Sequence, residues 1–159
     1  MRALVAYYSK FGNGKLIAEA IGKGLQETGL EVTVTEVGTK GISDDYDLVV
    51  LSSPTRAGRM MGPAKRFIGE LKTAAWKGKS FIAVGTGFKP KGTGGKFDEF
   101  GARSADKSYE ALAKAGPKPL MEAQKFYVEE MKGPLLEGEE ERALELGRTA
   151  GRALGGATS

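Results

Sequence analysis

The stretch Ala3-Leu4-Val5-Ala6-Tyr7-Tyr8, followed by Ser9-Lys10-Phe11-Gly12-Asn13-Gly14-Lys15, decides how the rest of the chain is read. Six consecutive apolar residues form no helical stripe and no alternating pattern, which marks a short strand buried on both faces. The run breaks into a turn with two glycines. Leu16, Ile17, Ala20, Ile21, Gly24 and Leu25 then recur at helical spacing and stop at Gly29. A strand buried on both faces that feeds directly into a helix is the opening of a parallel α/β sheet.

The pattern repeats outward. Val32, Val34 and Val37 suggest a second strand, and Asp47-Leu48-Val49-Val50-Leu51-Ser52 is a third. Pro63 suits the first position of a helix carrying Ala64, Phe67, Ile68 and Leu71. Ser80-Phe81-Ile82-Ala83-Val84-Gly85 is a fourth buried strand, and a Gly- and Lys-rich loop runs on to about Gly101. Ala105, Tyr109, Leu112 and Ala113 mark a helix stopped by Gly116-Pro117. Leu120 to Val128 contains a fifth strand, and a last helix from about Glu137 carries Ala143, Leu146, Gly147, Ala150 and Leu154. The order is β-α-β-β-α-β-α-β-α, or plain alternation if a further helix lies near Ile42. Either predicts a doubly wound parallel sheet in a single domain over 1–159, with ligands bound beyond the carboxyl ends of the strands.

Composition narrows the chemistry. The chain has 159 residues and neither Cys nor His, so disulfides, thiolate nucleophiles, Ser-His-Asp triads and His-ligated metals are excluded. The longest apolar run is far below the roughly 20 residues of a membrane span, and Met1-Arg2 leads into it without a cleavage pattern; the expectation is a cytoplasmic protein. The net charge of +4 is uneven: between Thr55 and Lys96 ten Lys or Arg face the single acid Glu70, so that stretch carries +9 and the rest −5. Such a block is either a solvated face or a surface that meets an anionic ligand or partner.

The loops after strands one, three and four carry the unusual residues. In Ser9-Lys10-Phe11-Gly12-Asn13-Gly14-Lys15, glycines let the backbone turn tightly at a helix start, which makes an anion cradle; the plainer reading is a tight turn with Asn13 as N-cap. The P-loop is absent, since Gly14-Lys15 has Ser9 and Leu16, and Gly95-Lys96 has Pro90 and Phe97, at the required positions. The dinucleotide fingerprint fails because Ile17 stands where a third Gly is needed. Asp44-Asp45-Tyr46-Asp47 reads as a surface loop, Tyr7 and Tyr8 as sheet residues, and Glu139 to Glu141 as a helix start. No nucleic-acid module accompanies Lys89, Lys91 and Lys96, so nucleic-acid binding is not expected.

Ser9-Lys10-Phe11-Gly12-Asn13-Gly14 resembles the flavodoxin phosphate loop, Ser/Thr-x-Thr-Gly-x-Thr. Ser52-Ser53-Pro54-Thr55-Arg56-Ala57-Gly58 resembles that family's second flavin loop, and Trp76 through Gly87 its approach to strand four and its third loop. The resemblance spans nearly the whole chain and implies a three-layer α/β/α sandwich with sheet order 2-1-3-4-5. It implies an FMN site in which Ser9, Lys10, Phe11, Gly12, Asn13 and Gly14 surround the phosphate. Pro54, Thr55, Arg56, Ala57 and Gly58 would line one side of the isoalloxazine ring, and Thr86, Gly87 and Phe88 the other. Gly58 is then the candidate for the peptide that meets flavin N5.

Phe11 and Gly14 stand where the family usually has threonine, and the +9 stretch departs from its usual acidity. By resemblance, then, the expected function is an FMN electron carrier between redox partner proteins, at least one presenting an acidic docking surface. Thr55-Arg56-x-Gly58-x-Met60 and Gly94-Gly95 also resemble flavodoxin-like NAD(P)H:quinone reductases, in which Arg56, Arg59 or Lys89 would hold the nucleotide phosphate. A flavodoxin-fold interaction module without flavin is the third reading.

Overall fold

A computed structural model of the chain describes residues 1–38, 43, 45–56, 59–88, 102–130 and 132–157. Strand β1 (Arg2–Tyr7) leads into helix α1 (Asn13–Glu27), followed by β2 (Glu31–Glu36) and β3 (Leu48–Arg56). A two-residue strand β4 (Arg59–Met60) precedes α2 (Gly62–Glu70), a single 3₁₀ turn at Ala74–Trp76 and β5 (Ser80–Phe88). Helix α3 (Ser104–Ala115), β6 (Lys118–Pro119), β7 (Gln124–Val128) and α4 (Glu139–Ala157) complete the described chain. The helix considered near Ile42 falls outside the described residues.

The sheet is parallel in the order β2-β1-β3-β5, with β6 and β7 both paired to the outer side of β5. Counting β6 and β7 as one interrupted strand, this is the expected 2-1-3-4-5. The interruption is a finding. Leu120 donates its N–H to the Phe81 carbonyl at 2.9 Å, after which pairing lapses until Gln124 meets Val84. The short β4 adds an antiparallel partner at the end of β3, pairing Thr55 with Met60 and Arg56 with Arg59.

Alternation along the strands sorts the core into two layers. Ala3, Val5, Leu48, Val50, Ile82 and Val84 face α1 and α4, where Ile17, Ile21, Leu25, Ala143 and Ala150 cover them. Leu4, Ala6, Val49, Leu51, Phe81 and Ala83 face α2 and α3, under Phe67, Ile68 and Leu112. Solid apolar runs in β1, β3 and β5 are therefore a direct consequence of burial on both faces. Among the described residues no helix is long and apolar enough to cross a membrane.

Helix boundaries refine the sequence reading. Helix α1 opens with Asn13 as its first helical residue, and its N-cap is Gly12 in the left-handed region (φ +92°) with no side-chain cap. Asn13 is thus no N-cap. Pro63 is the second residue of α2 rather than the first, and α4 begins at Glu139 rather than Glu137.

Candidate functional site

The carboxyl ends of β1, β3 and β5 lie side by side, Tyr7 beside Ser52 and Pro54 beside Thr86. Tyr8 donates its N–H to the Ser52 carbonyl (2.9 Å), and the Ser52 hydroxyl donates to the Gly14 carbonyl (3.3 Å). The loop after β1 is therefore fastened to β3 at both of its ends.

Within that loop Ser9 Oγ accepts the Gly12 N–H at 2.9 Å, which tightens the turn and leaves the Ser9 hydroxyl proton free to donate outward. The first helical bond of α1 is Leu16 N–H to the Gly12 carbonyl at 3.1 Å. The N–H groups of Asn13, Gly14 and Lys15 consequently have no partner among the described residues, and neither do those of Ser9, Lys10 and Phe11. Three of these donors belong to the uncapped start of α1, where the helix dipole places positive potential, and three to the loop just ahead of it. A Cβ on Gly12 would meet nothing, so the space over its backbone is open. Lys10 Nζ lies 5.5 Å from the centre of the Phe11 ring, which is 39% exposed, and Lys15 pairs loosely with Glu19 (3.9 Å).

Of the second loop, Pro54 and Thr55 are half-buried at the end of β3 and Arg56 is described by its backbone only. Ala57 and Gly58 lie outside the described residues, as do Lys89, Lys91, Gly94, Gly95 and Lys96 of the third loop. Thr86 and Gly87 are buried and Phe88 is half-buried at the end of β5. Among these groups Ser53 is distinctive: its hydroxyl is fully buried and has no hydrogen-bond partner among the described residues.

The basic stretch does not fall on one side of the sheet. Lys72, Lys77 and Lys79 follow α2 down to the amino end of β5, away from the three loops, and Lys79 Nζ sits 5.0 Å over the ring of Trp76. Lys65 and Arg66 are exposed on the first turns of α2. Asp45 and Asp47 both engage Arg2, at 3.4 Å through its guanidinium and 2.9 Å through its N–H respectively, in keeping with a structural surface loop.

Three features escaped the sequence. Ser104 at the start of α3 reaches back to β3, where Thr55 Oγ1 and Ser104 Oγ are 2.8 Å apart. Gly133 (φ +103°), between β7 and α4, lies against Asn13, whose Oδ1 would be 2.7 Å from a Cβ there. Glu139 is more than a helix start: only 8% exposed, it accepts the Tyr127 N–H at 2.8 Å and pairs with Arg142. A Ser immediately ahead of an apolar helical stripe is the one signal that could have flagged Ser104.

A doubly wound sheet with an uncapped, donor-rich loop after its first strand defines the class of nucleotide- or flavin-binding α/β domains. The comparison with known proteins names the family. The model described as a flavodoxin domain matches residues 4–117, and the chain belongs to that family. A flavodoxin from the domain Archaea superposes with a TM-score of 0.78 at 22% identity, over 98% of this chain and 99% of that one. Flavodoxin 1 of Bacillus cereus gives 0.76 at 18% identity, over 96% and 98%. A curated NAD(P)H dehydrogenase (quinone) of Paracoccus denitrificans (strain Pd 1222) is 30% identical over 87 residues, covering 41% of this chain and 42% of that protein. The chain thus spans less than half the length of that curated relative.

Flavodoxin domains bind flavin, typically FMN, and the family is one of flavin-binding redox proteins that work with redox partners. The residues present fit such a group. Six N–H donors without partners suit a phosphate, and a buried hydroxyl without a partner at the end of β3 suits a polar ligand atom.

Proposed function

We propose that this chain binds FMN and carries electrons between redox partners. The observation that supports it best is the set of unpartnered N–H groups of Ser9, Lys10, Phe11, Asn13, Gly14 and Lys15, in the loop fastened to β3. In this reading Ser9, Lys10, Phe11, Gly12, Asn13 and Gly14 hold the phosphate. Backbone donors then replace the hydroxyls that threonines at positions 11 and 14 would offer. Pro54, Thr55, Arg56, Ala57 and Gly58 flank one side of the ring and Thr86, Gly87 and Phe88 the other. FMN supplies the electron chemistry; the chain orients the ring, excludes water from it and sets its surroundings.

The partners follow from charge. Arg56, Arg59, Lys65 and Arg66, with the lysines of the third loop, would favour a partner with an acidic docking surface. Lys72, Lys77 and Lys79 take no part, because they lie toward the other end of the sheet. A cytoplasmic location belongs to the same reading.

A second reading, reduction of quinones by NAD(P)H, is favoured by the 30% identity to the Paracoccus dehydrogenase. The two separate in one series of measurements. A visible spectrum of the purified protein, repeated after adding FMN and removing the excess, should keep flavin bands. Two resolved one-electron steps on reductive titration, with no quinone-dependent NAD(P)H oxidation, fit the carrier; rapid oxidation fits the reductase. Failure to retain FMN would leave an interaction module without flavin.

A further inference from the structure

Ser104 is fully buried in the first turn of α3, and every polar group it brings there is used. Its hydroxyl donates to the Ser53 carbonyl at 2.9 Å and accepts from Thr55 Oγ1 at 2.8 Å. Its N–H donates to Thr55 Oγ1 at 2.9 Å. Ser104 therefore holds β3 at two points just before the second loop, the Ser53 carbonyl and the Thr55 hydroxyl. On its other side Ser104 presses on β5: a Cβ on Gly85 would lie 2.6 Å from Ser104 Oγ and 2.8 Å from the Ala102 carbonyl.

A helix needs only its apolar stripe to pack on a sheet, and Ala105 and Leu112 already provide one. Placing hydroxyls in that interface gains little stability unless all are satisfied, and here the Thr55–Ser104 pair is reciprocal. Its location is what gives it consequence. Thr55 is the base of the β3–β4 ribbon, opposite Met60, and Ser104 directly follows the third loop. The pair ties the root of one loop to the exit of the other.

We propose that Ser104 is a positioning residue for the flavin ring, fixing through Thr55 the spacing of the two loops that flank it. This rests on the FMN reading above. Ser104 does not touch the ring; it limits how far the second loop can move away from the third. Loss of the hydroxyl leaves Thr55 held by the Ser104 N–H alone and removes the bond to the Ser53 carbonyl. The end of β3 is then fixed less firmly against α3, and the ring is held less tightly and in a less defined environment.

The test compares Ser104→Ala and Thr55→Val with Ser108→Ala in the whole protein. Ser108 is equally buried on the same helix, but its hydroxyl donates only to the Ser104 and Ala105 carbonyls and never reaches β3. FMN dissociation constants and the visible circular dichroism of the bound flavin are measured for each, alongside apoprotein melting temperatures. The expected result is a weakening of FMN binding by roughly three- to tenfold in Ser104→Ala, the range of one net hydrogen bond, with altered flavin dichroism. Thr55→Val combined with Ser104→Ala should be no worse than the more affected of the two single variants. Ser108→Ala should lower the melting temperature while leaving affinity and dichroism unchanged. If Ser104→Ala does not fold, Thr55→Val carries the same comparison. Affinity and dichroism that move no more in Ser104→Ala or Thr55→Val than in Ser108→Ala would overturn the proposal while leaving FMN binding intact. A wild-type protein that retains no FMN would overturn both, and only that outcome touches the parent reading.

Discussion

Gly24 and Gly147 meet where α1 crosses α4, so closely that a Cβ on Gly147 would lie 2.9 Å from the Gly24 Cα and run into the Ile21 carbonyl. The two helices touch backbone to backbone. Since α1 carries the donor-rich loop at its start, the seat of α1 on α4 also sets where that loop stands.

Gly147→Ala should therefore destabilise the fold by about 3 kcal/mol, the upper part of the range for overpacking a tight interface. The obstructing atoms are backbone, which no rotamer change can move aside. Gly155→Ala, where a Cβ meets nothing, should be close to neutral. Urea unfolding of the two variants checks both expectations, and equal midpoints would show that the helices are not in direct contact.

Gly12→Val should weaken FMN binding at least tenfold. The protein leaves open space around that Cβ, so no internal clash intervenes. What changes is the backbone, held at φ +92°, where a side chain costs about 1–2 kcal/mol, and the room left for a phosphate. Titration of apoprotein with FMN reads the effect; unchanged affinity would place the phosphate elsewhere.

Gly133→Ala tests whether the segment between β7 and α4 braces the same loop. The new methyl would press on Asn13 Oδ1 at 2.7 Å, at a position whose φ of +103° already favours glycine. We expect weaker FMN binding together with lower stability, whereas Gly138→Ala, also at positive φ but with nothing near its Cβ, should lower stability alone. Parallel FMN titrations and melting curves separate the two.

Arg148 joins α4 to α1 through Glu27 (2.5 Å) and also bonds Glu145 at 3.2 Å. The hydrogen bond from Arg148 lowers the Glu27 pKa, while the bonds Arg148 donates to Glu27 and then to Glu145 raise its own. A depressed carboxylate contributes stability above its unfolded pKa and loses it as pH falls through the folded value. Glu27→Gln should thus be less stable than wild type at pH 7, and the difference should shrink in acid below the carboxylate range. Both groups are exposed, so the gap should also narrow in high salt. A difference that persists at low pH would point away from the ion pair.

The layering was legible because β1, β3 and β5 are buried on both faces, and a solid apolar run such as Leu48 to Leu51 leaves little else to choose. The fifth strand was less legible: Lys118-Pro119 and Gln124 to Val128 pair separately, and half-buried residues give no clean period. The loop after β1 announced itself through Gly12 and Gly14, whose effect is local. Ser104 and Gly133 did not, because their partners Thr55 and Asn13 lie 49 residues and more away, a proximity created only by the crossovers. Asn13 misled for a related reason. It looks like a cap, but Gly12 already turns the chain into the helix.

The interrupted fifth strand also bears on how molecules of this protein avoid one another. An open sheet has two exposed edges, and a continuous edge is a template on which a second chain can add a strand and begin an aggregate. On this side the template is broken after two residues and its second residue is Pro119, which has no N–H to offer. On the other side, β2 begins and ends with exposed glutamates, Glu31 and Glu36, which would meet like charges in an antiparallel pairing of two copies. Among the described residues, neither border offers a long, flat, apolar seam on which a second copy could add a strand.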